Sequence, residues 1–369
     1  LAVVNLIDTG GVANLTVIAG AAADLLRLNL GLTGKIAEAF QKIAASNDQD
    51  LLLLALQQAA AILSQTTNVL TRNTIALNVS LILGKLAASN DAAILSQLLE
   101  LTPALLAAPR TLAGALLIRN QIGTLIGSVL RSNDEGLLFR LLGQGSRILD
   151  VTGIRNNPIV GQLGEAVQKL IDQNTATALA GILEAAGGLL RFLGRDAGFV
   201  GKIEAAIQAV FTVANPELLL GLLLQKAPEL LRFTGPNERI RDGVLAAISG
   251  LRNVAGGLEK IIDSASGLLR FLGRDSELVR EIRAAIGDIV AANDASLLSR
   301  LILKLPDIVK GTQVERNLLV GQAGEAIGKL LELVQQGADI AFLTAILGAA
   351  PDLFRQIGLT AAMFRDPRF

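Results

Sequence analysis

Asn293-Asp294-Ala295-Ser296-Leu297-Leu298-Ser299-Arg300-Leu301-Ile302-Leu303-Lys304-Leu305-Pro306-Asp307-Ile308-Val309-Lys310-Gly311 is the stretch that decides the fold. Its apolar positions Leu297, Leu298, Leu301, Ile302, Leu305, Ile308 and Val309 recur at three-four spacing, the period of one helix face. Asp294 is placed to cap the first turn, and Gly311 to end the helix. Pro306 lacks an N–H and falls inside the pattern, so the helix is expected to kink there or break in two.

The stretch is one copy of a repeat. An Asn-Asp pair, or a relic of one, stands at Asn47-Asp48, Asn90-Asp91, Asn133-Asp134, Asn174-Thr175, Asn215-Pro216, Asn253-Val254, Asn293-Asp294 and Ala338-Asp339. The twelfth residue beyond each pair is small or proline: Ala60, Pro103, Ser146, Gly187, Pro228, Ser266, Pro306 and Pro351. Two residues later an apolar pair follows, as in Leu189-Leu190, Leu268-Leu269 and Leu353-Phe354. Phase-locking of this kind means stacked copies of one supersecondary unit sharing a continuous core. Each unit reads as a first helix, a loop, a second helix and a tight Asn-Asp turn. For the last full unit the second helix is expected from about Leu318 to Val334. The expected fold is all-α, a right-handed α-solenoid of about eight or nine two- to three-helix repeats of roughly 40 residues. We expect a single domain over 1–369, with N-terminal material at 1–46, regular repeats at 47–337 and an incomplete unit at 338–369.

Several residues resemble a HEAT repeat. Pro228-Glu229-Leu230-Leu231 is followed by the loop residues Pro236-Asn237, then by Ile240-Arg241 and Ala246-Ala247. Asp275, Val279-Arg280 and Ala284-Ala285-Ile286 are similar, as are Asp196, Val200 and Ala205-Ala206-Ile207, although Gly201 replaces the basic residue. Armadillo repeats share this plan. In the N-terminal third the Val-Arg element is absent, and a longer loop is expected from Ala108 to Leu117. The resemblance implies a ladder between loop acids and second-helix bases, pairing Asp275 with Arg280 and more loosely Asn237 with Arg241.

Composition limits the chemistry. The chain has 33 basic and 33 acidic residues, so no net field favours nucleic acid. It holds no His, Cys, Trp or Tyr, and one Met. Imidazole acid-base chemistry and thiol chemistry are therefore absent. Such an inventory fits selection for an inert, long-lived material or the restricted alphabet of a designed sequence. No Gly-x-Ser-x-Gly elbow and no Asp-rich calcium loop occur, so neither an enzyme nor a cofactor or metal is expected. Gly324-Glu325-Ala326-Ile327-Gly328-Lys329 is one residue short of a phosphate loop and falls within an expected helix. Gly143-Gln144-Gly145 reads as a packing point.

The longest uncharged run, Leu51 to Thr71, is interrupted by amides and hydroxyls, so no transmembrane span is expected. The chain opens at Leu1 without an initiator Met, so either a processed protein, for which a secreted setting is expected, or an incomplete chain is expected. The acceptors Asn14-Leu15-Thr16 and Asn78-Val79-Ser80 add little.

Two patterns are candidate surfaces. Arg-Asx pairs at Arg72, Arg119, Arg155, Arg195, Arg274 and Arg316 are expected in loops, where they would form a polar strip for binding or an edge capped by hydrogen bonds. The capped edge is the preferred reading. Phe192, Phe233 and Phe271 follow Arg191, Arg232 and Arg270, and are read as core residues beside solvated arginines. The functional expectation is a non-enzymatic scaffold that binds a protein partner or itself. A carrier or surface-active protein for apolar ligands is the alternative. Neither chain end looks like a polar cap, so at least one is expected to be covered in an assembly.

Overall fold

The computed structural model describes residues 11–27, 32–155 and 157–336, with isolated positions 5, 7, 9 and 351. Sixteen helices and no strand occur among the described residues. The copy around Pro351 and the segment 338–369 lie outside them. Two compact units are present, Leu1–Gln173 with Arg191–Leu193, and Asn174–Leu190 with Gly194–Phe369.

In the first unit the helix pairs are α1 (Val12–Arg27) with α2 (Thr33–Ala45), and α3 (Gln49–Gln65) with α4 (Val69–Ala88). They continue as α5 (Ala92–Ala107) with α6 (Leu112–Ser132), and α7 (Glu135–Thr152) with α8 (Pro158–Gln173). The next pairs are α9 (Ala176–Leu193) with α10 (Ala197–Val210), and α11 (Glu217–Thr234) with α12 (Glu238–Leu251). The last two are α13 (Gly257–Leu272) with α14 (Ser276–Ala292), and α15 (Ala295–Gly311) with α16 (Arg316–Gln335). Within the units first helices pack on first helices, as α1 on α3, α5 on α7, α11 on α13 and α13 on α15. Second helices pack on second helices, as α2 on α4, α4 on α6, α12 on α14 and α14 on α16, which makes two layers in each unit. The architecture is an all-α stack of helical repeats.

The Asn-Asp turn works as its chemistry dictates. Asn90, Asn133, Asn174, Asn215 and Asn293 adopt left-handed backbone with φ between 50° and 54°. Asparagine tolerates that region better than other residues with a Cβ. The next residue then caps the following helix: Asp294 Oδ1 accepts from Leu297 N at 2.9 Å, and Asp134 Oδ1 from Leu137 N at 2.9 Å. One residue ends a helix and its neighbour starts the next. Second helices are capped alike, by Asn68, Thr111, Asp196, Asn237 and Asp275.

Pro103, Pro228 and Pro306 each occupy the twelfth position beyond the N-cap of a first helix, as the repeat requires. Of the two expected outcomes, a kink or a break, the break does not occur, because α5, α11 and α15 run on through them. Packing on both sides holds the turn together: Leu98, Leu99, Leu105, Leu305 and Ile308 are all buried. The expected loop Ala108 to Leu117 is also shorter than its sequence suggested. Thr111 accepts from Gly114 N at 3.2 Å, and α6 begins at Leu112.

One turn departs from the register. Asn253-Val254 does not cap α13, whose N-cap is Gly256 with φ 71°. A Cβ on Gly257 would overlap the carbonyl oxygen of Leu251, so the chain needs glycine where it folds back on α12. The helix starts late, yet the register downstream is kept: Leu268 and Leu269 are buried like Leu230 and Leu231.

Within the second unit the first helices α11, α13 and α15 approach one another much more closely than the second helices do. Glycines permit this. A Cβ on Gly267 would lie 2.9 Å from Pro228 Cγ, and one on Gly311 2.9 Å from Leu269 Cβ. Among the described helices, α6 and α9 are long and apolar enough to cross a membrane by length and composition. Their apolar windows are 39% and 50% buried against neighbours, a test that core helices also pass.

Candidate functional site

The close approach of α11, α13 and α15 leaves a groove along the first-helix face of the second unit. Between α11 and α13 it measures about 590 Å³, with Leu218, Leu222 and Pro228 facing Lys260 and Asp263. Between α13 and α15 it measures about 500 Å³, with Arg270 facing Asp307 and Lys310. Ser266 and Gly267 line both, so the two segments are continuous. Gly221, Gly267 and Gly311, one from each helix, line it and leave room for Lys260, Pro228 and Leu269 to pack close on their backbone. The stem of Lys260 packs where a Cβ on Gly221 would sit, 2.6 Å from Lys260 Cδ.

Charge in the groove is unevenly compensated. Arg300 holds Asp263 through two hydrogen bonds, at 3.1 and 2.5 Å, and also pairs with Glu259. The Asp263 hydrogen bond raises the Arg300 guanidinium above its ordinary value. Arg270 and Lys310 share their segment of the groove with Asp307, while Lys260 lines the other segment with Asp263. Arg270 stacks over Phe271 at 5.9 Å from the ring centroid, which steadies its guanidinium.

The phenylalanines are not core residues as the sequence suggested. Phe192 and Phe233 are half-buried and Phe271 is 37% exposed. Leu193, Leu231 and Leu272 take the buried positions beside them. Each ring instead carries its own arginine, at 5.5 Å for Arg191 and 5.4 Å for Arg232.

The Arg-Asx pairs are not all in loops. Arg72 lies in α4, 8% exposed, and its Nη2 donates to the Thr66 carbonyl. Arg119 lies in α6 and its Nη2 donates to Thr152 O at 2.6 Å. In the first unit these two clamp turns, while Arg155 is exposed in the α7–α8 loop. In the second unit Arg195 and Arg274 each immediately precede a second-helix cap, and Arg316 opens α16. Arg274 Nε donates to Gln313 Oε1 at 2.6 Å. The acceptor motif at Asn78 is closed to modification in this fold, since Asn78 is 4% exposed within α4.

Neither pairing implied by the resemblance forms, and the side chains named in them take other partners. Asp275 accepts from Arg241 Nη1 at 3.4 Å, one unit earlier, while Arg280 pairs with Glu277 at 3.5 Å. Asn237 Nδ2 donates to Glu204 at 2.8 Å. Arg252 to Asp288 at 2.7 Å and Arg283 to Glu315 at 2.6 Å continue the series. A second ladder went unread in the sequence: Gln162 Nε2 donates to Gly123 O at 2.8 Å, and Gln322 Nε2 to Arg283 O at 3.0 Å. Its signal was the matching Val-Gly-Gln-x-Gly-Glu-Ala at 160–166 and 320–326.

No known protein family matches the chain, and no curated protein matches it. Among solved structures it is similar to a protein described as "Circular tandem repeat protein with novel repeat topology and enhanced subunit contact surfaces". The TM-score is 0.64 at 13% identity, over 96% of this chain and 99% of that one. The fold is a tandem helical repeat. At this identity the likeness extends to fold alone, and site chemistry must come from the residues of this chain.

Proposed function

We propose that the chain is a non-enzymatic scaffold that binds a protein partner through the first-helix face of its second unit. The groove between α11, α13 and α15 carries this reading. It is open and lined by both exposed leucine and cations, so that it offers a partner apolar contact and charge pairing together. The sequence also lacks the imidazole and thiol groups that most general-base and nucleophilic mechanisms need. Within the helical-repeat class we assign a HEAT-like plan, because Arg241 reaches the helix cap Asp275 of the next unit.

Photo-crosslinking tests the reading. Benzoylphenylalanine at Leu222 is expected to capture a defined protein in an extract of the source cells, whereas the same probe at exposed Glu165 on α8 is not. Equal capture at both positions, or none at Leu222, would defeat it.

One observation favours a second reading. In the first unit Leu70, Leu77 and Leu81 on α4, with Leu112 and Leu116 on α6, are all more than 40% exposed. Such an apolar face suits self-association or an apolar ligand. Solvent extraction followed by mass spectrometry separates the two, since only a carrier yields a stoichiometric lipid.

A further inference from the structure

The groove also specifies the chemistry of its occupant, an inference that rests on the scaffold reading above. Four residues beyond the small-or-proline position, successive first helices carry Arg232, Arg270 and Lys310. The same position holds Ser64, Ala107 and Asp150 in α3, α5 and α7. A cation in the last turn complements the helix dipole, yet those three helices end without one, so the repeat does not demand it. Arg191 holds the same position in α9, so such cations run through the later first helices, and of these Arg270 and Lys310 line the groove.

Their counter-charges are sparse. Asp263, in the segment of Lys260, is already held by Arg300, and Asp307 lines the segment that Arg270 and Lys310 share. At the other end Leu218 is 79% exposed, beside Leu222 and Pro228. The geometry points to an acidic–apolar peptide segment of a protein partner, lying across α11, α13 and α15. An apolar side chain sits against Leu218 and Leu222, and carboxylates meet Arg270 and Lys310. Charge complementarity sets its direction in the groove. A nucleic acid would need a longer cationic track than three residues in a chain of zero net charge.

Fluorescence anisotropy with the full chain decides the matter. The probe is a short fluorescein-labelled peptide alternating leucine, aspartate and serine, compared with a version carrying lysine for aspartate. Oligothymidylate and phosphatidylserine vesicles are run alongside. The aspartate peptide is expected to bind, more weakly as salt rises, with the R270E/K310E double variant weaker by about tenfold or more. Leu218→Asp is expected to weaken the same peptide. Arg270 and Lys310 are both exposed, and circular dichroism checks that the double variant keeps its helix content.

Absence of binding at millimolar peptide overturns the inference. So does unchanged binding by the double variant, equal binding of the lysine peptide, or binding of oligothymidylate or vesicles alone. If the peptide fails while the Leu222 crosslink still captures a protein, the scaffold reading stands and only the acidic partner falls. If the crosslink also fails, both fall.

Discussion

Gly273, at the C-cap of α13, lies directly against the backbone of Gly311 at the end of α15. A Cβ on Gly273 would overlap the Gly311 carbonyl oxygen, and Gln313 N donates to Gly273 O at 2.9 Å. Neither obstacle is a side-chain tip that could swing aside. Gly273→Ala is therefore expected to destabilise by about 2 kcal/mol or more, as overpacked sites do. Gly161 in α8 has nothing within 4 Å, so Gly161→Ala is expected to stabilise by about 0.5–1 kcal/mol through helix propensity. Urea unfolding of the two variants reads both signs.

The Asn-Asp turn supplies a second contrast. Asn293 has φ 54° and Asp294 caps α15. Asn293→Gly should be nearly neutral, while Asn293→Val is expected to cost about 1–2 kcal/mol of left-handed strain. Asp294→Ala is expected to cost about 1 kcal/mol. Thermal or urea midpoints of the three variants test the order.

Arg72 distinguishes a structural role from a binding role. Its Nη2 bonds the Thr66 carbonyl, and its buried Nε has no hydrogen-bond partner. Arg72→Ala is expected to lower stability by about 1–3 kcal/mol, through a lost charged hydrogen bond and lost packing. Arg155→Ala, at an exposed loop position, is expected to change it by less than about 0.5 kcal/mol. Matching effects in the two variants would contradict the clamp assigned to Arg72.

Stability should be flat across neutral pH. Hydrogen bonds to Asp242, Asp288 and Asp263 raise Arg241, Arg252 and Arg300 respectively. A raised cation keeps its full contribution below its unfolded value and loses it only as pH climbs through the folded one, in strong alkali. The chain has no His, Cys or Tyr, so no side chain of ordinary pKa titrates between about pH 6 and about pH 9. The urea midpoint is expected to stay constant over that window, and a clear slope would reveal a shifted carboxylate or lysine.

The repeat was legible because local chemistry and tertiary position agree in it. Asn293 wants the left-handed region, Asp294 wants a cap, and Pro306 recurs at a fixed distance behind them. Where tertiary backbone contact decides, the pattern misled. Gly257 must clear the Leu251 carbonyl, which no spacing announces, and so the Asn253-Val254 relic lost its role. Arg72 and Arg119 looked like loop residues because helix starts at Asn68 and Thr111 are marked by single capping side chains. Phe271 looked like core because aromatic residues usually are, but it sits off the buried stripe formed by Ala265, Leu268, Leu269 and Leu272. The groove was not legible, since it is lined by residues of three different helices, far apart in sequence.

Amide hydrogen exchange of the chain with and without the partner captured at Leu222 tests the central claim most directly. Binding through the first-helix face predicts slowed exchange concentrated in 217–234, 257–272 and 295–311, with the second helices between them unchanged. Protection confined to α12, α14 and α16, or to α4 and α6 of the first unit, would contradict it.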